Sequence, residues 1–304
     1  MQSLPVVGAL ALLCCFLWGS AAPSIKTGYR IFQIASDDVA TVLLFAGIRF
    51  LLAGILAVVL GSFLQKKPLV PKSTSWGKIV LLAFIQTVLQ YIFYYVGLAH
   101  ASGVRSAIVN STNTFCAILI ACFLFRQETL TGKKILGCVL GFAGVVIVNL
   151  SGLATGSPMT FLGEGFIFLS SVCYAFSSAF LKEYSKEENP VALSGYQFIL
   201  GSIIMIVIGL AMGGRLTVIT PGGILLLVYM ALISAVAYTV WGILLKYNPV
   251  SRITIFGFMN PVFSVILSAI ILQEMGLLGP PVLLALVLVS LGIIVVNRPT
   301  PAKT

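Results

Sequence analysis

Residues 39–61 read VATVLLFAGIRFLLAGILAVVLG, an apolar run that contains one charge, Arg49, and no proline. A helix rising 1.5 Å per residue covers about 35 Å over this run, enough to cross a hydrocarbon core of about 30 Å. Such runs recur along the chain, at 5–23, 39–61, 77–99, 104–125, 133–151, 161–182, 192–212, 222–245, 252–272 and 279–297. With 59% hydrophobic and 9% charged residues in 304, the composition is that of a chain dissolved in lipid. The expected fold class is therefore an all-α membrane protein with ten transmembrane helices. Its longest connections, near 24–38 and 62–76, are too short to hold a soluble domain, so any function has to be built from the helices.

The net charge of +10 could point to nucleic acid, but its placement does not. If the N-terminus is inside, thirteen Lys and Arg fall on inner segments (Lys66, Lys67, Lys72, Lys78, Arg126, Lys133, Lys134, Lys182, Lys186, Lys246, Arg252, Arg298, Lys303). Only Lys26, Arg30, Arg105 and Arg215 fall on outer ones. This bias predicts cytoplasmic termini, with anionic headgroups rather than nucleic acid as the basic surface's partner. The small residues Gly19-Ser20-Ala21-Ala22 could end a signal peptide, but no Lys or Arg precedes the first run, so it is read as a retained helix. The six cysteines fall inside spans as small hydrophobes, without a disulfide or zinc spacing.

The run at 39–61 also has an echo. At an offset of 146 to 148 residues, FAGIRFLLAG (45–54) lies over LSGYQFILGS (193–202), pairing Gly47 with Gly195, Arg49 with Gln197 and Phe50 with Phe198. Gln127-Glu128 lies over Gln273-Glu274, GVVIVN (144–149) over GIIVVN (292–297), and Tyr91 and Tyr94 over Tyr238 and Trp241. Five helices per copy is an odd number, so the second copy enters the membrane from the opposite side. The chain is expected to divide into inverted five-helix repeats at 1–151 and 152–304, with a substrate site near the midplane where they meet.

These residues resemble the EamA family of the drug/metabolite transporter superfamily over the full length. The resemblance rests on Leu17-Trp18-Gly19-Ser20-Ala21-Ala22-Pro23-Ser24-Ile25-Lys26, Gly47-Ile-Arg49-Phe-Leu-Leu-Ala-Gly54, Glu128 and Glu274 before Gly-rich spans five and ten, and Asn260-Pro261-Val262-Phe263. It implies a ten-helix transporter of metabolites, often an exporter of amino acids or related compounds, with both termini inside. It also places Trp18 among the structural or gating residues. In span four, Asn113-Thr114-Phe115 stands where many relatives carry a proline, so the two halves are not expected to bend alike.

Polar side chains inside a bilayer usually face a cavity or the protein interior. Gln86, Gln90 and Tyr94 are four apart in span three; Asn110 and Asn113 share a face of span four; Tyr238 and Trp241 lie in span eight and Asn260 in span nine. These eight are the candidate substrate-binding residues. Cross-helix packing bonds are the other reading, and they leave the serines and Thr114 without a site role. Tyr91 is a candidate gate with Tyr238. Pro261 lacks the N–H that would bond Gly257, and is expected to bend span nine. Glu128 and Glu274 are expected to cap the helices that follow them, with gating as the alternative. The glycines Gly137, Gly141 and Gly144 suit close packing within a monomer, or a weak homodimer seam.

No Ser/His/Asp set, metal cluster or paired intramembrane carboxylates can be assembled, so no enzyme, metal or cofactor is expected. All eight acidic residues lie in loops or at span ends, which argues against proton coupling through a buried carboxylate. The expected function is secondary transport, without ATP, of a small neutral or zwitterionic metabolite, most simply amino-acid export across a bacterial plasma membrane. A passive pore for small polar solutes is the alternative. Arg49, some 15 Å into the bilayer, is expected to make structural or gating bonds to helix-end carbonyls, with a substrate carboxylate as the second reading.

Overall fold

A computed structural model of the protein describes residues 3–35, 37–101, 103–148, 159–271 and 279–298, and the regular structure among them is helical throughout. The helical stretches are α1 (Leu4–Phe32), α2 (Val39–Leu64), α3 (73–100), α4 (103–124), α5 (Gly132–Val148), α6 (Phe161–Tyr184), α7 (Pro190–Ala211), α8 (Pro221–Tyr247), α9 (250–271) and α10 (Pro280–Asn297). Eight helices in the described residues are long and apolar enough to cross a membrane; Ile108–Leu124 is a shorter apolar helix. Starts follow local chemistry. Asp38, Thr160, Asn189 and Thr220 accept from the free N–H groups of Thr41, Gly163, Val191 and Gly223, and prolines open α7, α8 and α10.

Helix α1 does not stop at residue 23. It runs nine residues further, straight through Pro23. Proline removes one backbone bond, the one to the carbonyl of Gly19, and the hydroxyls of Ser20, Ser24 and Thr27 bond back within the same helix, to the carbonyls of Leu17, Ser20 and Pro23. Beyond the proline, Ile25, Tyr29 and Phe32 recur at helical spacing and pack with Phe45, while Lys26 and Arg30 stay exposed.

The two spans expected to bend differently both depart from a straight α-helix, each in its own way. Span nine breaks before Pro261, as a 3-10 turn at Ile255–Phe258; Pro261 then occupies the third position of a new helix, Met259–Ile271, where a missing N–H costs little. Span four breaks without any proline, between Gly103–Asn110 and Asn113–Leu119. There Ser111 and Thr112 bond the carbonyls of Ile108 and Val109 at 2.6 Å, competing with the helical ladder. The two breaks face each other: Thr114 donates to the carbonyl of Thr254 at 3.1 Å, and Phe115 packs edge-on against Phe258.

Helices α2 and α7 form the central seam. A Cβ added at Gly54 would lie 2.7 Å from the carbonyl oxygen of Gly195, and one added at Gly47 would lie 3.2 Å from that of Ser202. An offset of 148 carries Gly47 to Gly195 and Gly54 to Ser202, so these two contacts are the same contact with the partners exchanged. Phe50 and Phe198, related by that offset, stack on each other with centroids 5.2 Å apart. Helices α5 and α10 repeat the pattern, Gly137 against the carbonyl of Gly292 and Gly144 against that of Ala285. The α5 glycine face is therefore spent within the chain, where Gly141 also admits the ring of Phe258.

At one end of the bundle the connections tie together. Lys72 and Lys78 reach Glu187, the Lys72 amide donates to Glu188, and Gln65 accepts from Asn189. Glu128 does not cap the helix that follows it. Its carboxylate accepts from the backbone N–H and hydroxyl of Ser251, in the first turn of α9, and from Lys134 at 2.6 Å. The positive end of α9 is thus served from the opposite half of the chain. Glu274 lies outside the described residues.

Candidate functional site

The polar residues of the interior gather where α2, α3, α7 and α8 cross. Gln197 donates through Nε2 to Oε1 of Gln86 at 2.6 Å, and both side chains are buried. Arg49 donates through Nη2 to the hydroxyl of Ser234 at 3.0 Å. The 148-residue offset carries Arg49 to Gln197 and Gln86 to Ser234, so this pair too is one contact with its partners exchanged. Between them, the hydroxyls of Tyr91 and Tyr238 meet at 2.6 Å. These tyrosines are 147 residues apart, one fewer. Helix α3 takes up the extra residue in a π-helical stretch, Ala83–Leu89, whose i→i+5 turns have no counterpart in α8.

The same π stretch alters the expected stripe on α3. Gln86 meets α7, whereas Gln90 and Tyr91 both reach Tyr238. Aromatic rings enclose this point: Tyr91 over Phe50 at 4.3 Å, Tyr238 edge-on to Phe198 at 4.8 Å and to Trp18 at 5.2 Å, and Trp18 edge-on to Trp241 at 4.9 Å. Tyr94 stands edge-on to Tyr95. Trp18 borders two clusters, the one around Tyr238 and the larger one that holds Trp241 and the α9 break.

The amides near the helix breaks lie on this second side. Asn113 accepts from Thr114 at 3.2 Å, and the Asn110 carbonyl accepts from Ser171 at 3.3 Å. Asn110, Asn113, Tyr91, Tyr94, Trp18, Asn260 and Pro261 are all half-buried. Several buried polar atoms have no protein partner: Arg49 Nε, Gln90 Oε1, Gln197 Oε1, Asn260 Oδ1 and the indole nitrogen of Trp18. A buried group left unbonded costs about 1–3 kcal/mol, so a set of donors and acceptors like this suits a polar guest or water.

Arg49 is 5% exposed, and its guanidinium stands 4.8 Å from the centre of the Phe50 ring. Its bond goes to a side-chain hydroxyl rather than to a helix-end carbonyl. Among the described residues no cluster of His, Cys, Asp or Glu could hold a metal ion. Gln197 and Ser234 complete the constellation and were not among the candidate site residues. Part of the signal for them was in the sequence, since the offset sets Gln197 opposite Arg49 and Ser234 opposite Gln86, although it does not say which of the four would bond.

The comparisons with known proteins agree with this architecture. A crystal structure of a protein superposes with a TM-score of 0.78 over 97% of both chains at 16% identity, which shows the fold alone. The uncharacterized transporter sll0355 of Synechocystis is 26% identical over 85% of this chain and 80% of its own. The uncharacterized transporter YvbV of Bacillus subtilis is 27% identical over 100% and 96%, and an uncharacterized transporter of Archaeoglobus fulgidus is 28% identical over 95% and 98%. The model of the EamA-like transporter family matches residues 7–150 and 161–298. With nearly the whole chain matched, this integral membrane protein belongs to the EamA-like transporter family.

Proposed function

We propose that this transporter is a secondary carrier that moves a small neutral or zwitterionic metabolite by alternating access, exporting an amino acid or a related compound. The observation that carries the reading is the set of exchanged contacts around Tyr91 and Tyr238: Gly54–Gly195 with Gly47–Ser202, and Gln86–Gln197 with Arg49–Ser234. Two inverted copies meeting on a pseudo-two-fold axis produce such pairs, and exchanging the roles of the copies moves the opening from one side of the membrane to the other. Helices broken at matching places in α4 and α9 support it further, since discontinuous helices at mid-membrane carry the site in many carriers.

The amide and aromatic lining favours a small polar solute over a polyanion, which needs several basic groups. The basic ends of α2, α4, α6 and α8 support cytoplasmic termini and contact with anionic headgroups. Uptake of labelled amino acids into proteoliposomes tests the reading. A carrier gives flux that saturates with concentration and is competed by related amino acids. Flux rising linearly without competition favours the passive pore.

A further inference from the structure

We infer that Arg49 holds the carboxylate of the carried compound, which narrows the substrate class to small molecules with a single free carboxylate. This deepens the proposed function and rests on it. The first argument is one of charge. The acidic residues stand in loops or at helix ends, and none of the described ones pairs with Arg49. A guanidinium does not give up its proton, and an unpaired one at mid-membrane is costly, by at least about 2.5 kcal/mol. The neutral hydroxyl of Ser234 supplies a hydrogen bond but no counter-charge.

The second argument comes from the exchanged pair. A structural tie at this place needs no charge, because Gln197 and Gln86 make the equivalent tie with two amides. The positive charge in one half alone is therefore surplus to holding the halves together. It is what a single anionic group requires, and a dicarboxylate would leave one charge unmatched. The third argument is the unfilled bonding capacity: Arg49 Nε is buried without a partner, its guanidinium packs on the Phe50 ring that also carries Tyr91, and the hydroxyl pair of Tyr91 and Tyr238 keeps one O–H that can donate to the same anion. On the Tyr238 side, Oε1 of Gln90 is an unpartnered acceptor, able to take an ammonium.

The test is thermal stabilisation of the detergent-purified protein by a panel of L-amino acids, their carboxamides and their deaminated acids. Among the amino acids, at least one is expected to raise the melting temperature while its carboxamide does not. Arg49→Gln, which copies the second half, is expected to remain folded and to bind that acid at least about ten-fold more weakly, the equivalent of one charge-assisted hydrogen bond. A carboxamide as effective as its acid would overturn the inference, as would undiminished binding by Arg49→Gln. If that variant does not fold, the acid-against-carboxamide comparison on the unaltered protein still decides. Deaminated acids that bind as well as the amino acids would support the assignment of Arg49 while removing the zwitterion from the proposed function. A phosphorylated sugar completes the panel, and its binding with no response to any carboxylic acid would overturn both.

Discussion

Replacing Gly54 by alanine probes the seam between α2 and α7 directly. The new Cβ would stand 2.7 Å from the carbonyl oxygen of Gly195, 2.8 Å from a side-chain carbon of Ile199 and 2.9 Å from the backbone nitrogen of Ile199. Two of these three are backbone atoms of a packed helix, so relief requires the helices to part by about 0.7 Å rather than one side chain to turn. Overpacking of this kind costs about 1–3 kcal/mol, which at roughly 2–4 °C for each kcal/mol lowers the melting temperature by about 2–12 °C. Gly242→Ala is the control, because its Cβ would meet Leu181 and Ser194 at 3.4 Å, an ordinary contact, and an interior helical glycine exchanged for alanine gains up to about 1 kcal/mol. Fluorescence-detected thermal unfolding of both variants in one detergent gives the answer. Equal melting temperatures for the two would refute the close helix approach from which the exchanged contacts are argued.

Three other outcomes follow from the structure. Glu128→Ala removes the carboxylate that joins Ser251 to Lys134, so it should destabilise the protein by about 2–3 kcal/mol, with Glu128→Gln losing less; chemical or thermal unfolding measures both. In a double-mutant cycle, Tyr91→Phe and Tyr238→Phe should show a coupling of about 0.6–1.5 kcal/mol for their hydroxyl pair, and zero coupling would mean the bond is absent. The third concerns pH. Burial pushes the Glu188 carboxyl up, but the amides of Asn189 and Lys72, the Ser75 hydroxyl and the Lys72 charge outweigh it and hold the group below its ordinary 4.5. A carboxyl lowered on folding adds stability above its unfolded pKa and loses it as the pH falls through the folded one. The melting temperature should therefore drop below about pH 4.5, less steeply in Glu188→Gln.

Much of this fold is readable from hydropathy, because a segment with no water to bond must be a long apolar helix, and 39–61 is one. The offset behind the exchanged contacts is readable as well: Arg49 over Gln197 and Phe50 over Phe198 are equal spacings in the sequence, and the two phenylalanines then stack on each other. What hydropathy does not carry is local hydrogen bonding. Helix α1 passes Pro23 with Ser20, Ser24 and Thr27 bonding back within it, whereas Ser111 and Thr112 make the same kind of bond where a helix ends with no proline near. The π stretch at Ala83–Leu89 is equally silent, though the change of offset from 148 to 147 across it is its trace. At the site, residue types at helical spacing located Tyr91, Gln90 and Tyr238 near one another. They did not show that Gln86 is engaged by Gln197, since that bond depends on how α3 is turned. Glu128 was expected on its own following helix and instead serves α9, a tertiary choice that no local pattern encodes.

Counterflow tests the central claim, that two exchanging halves carry the substrate, most directly. Proteoliposomes preloaded with an unlabelled amino acid that stabilises the protein are diluted into a trace of the same compound, labelled. A carrier whose site faces one side at a time predicts transient accumulation of label above its external concentration, abolished when the preload is omitted. Label that only equilibrates, at a rate indifferent to the preload, would contradict the account.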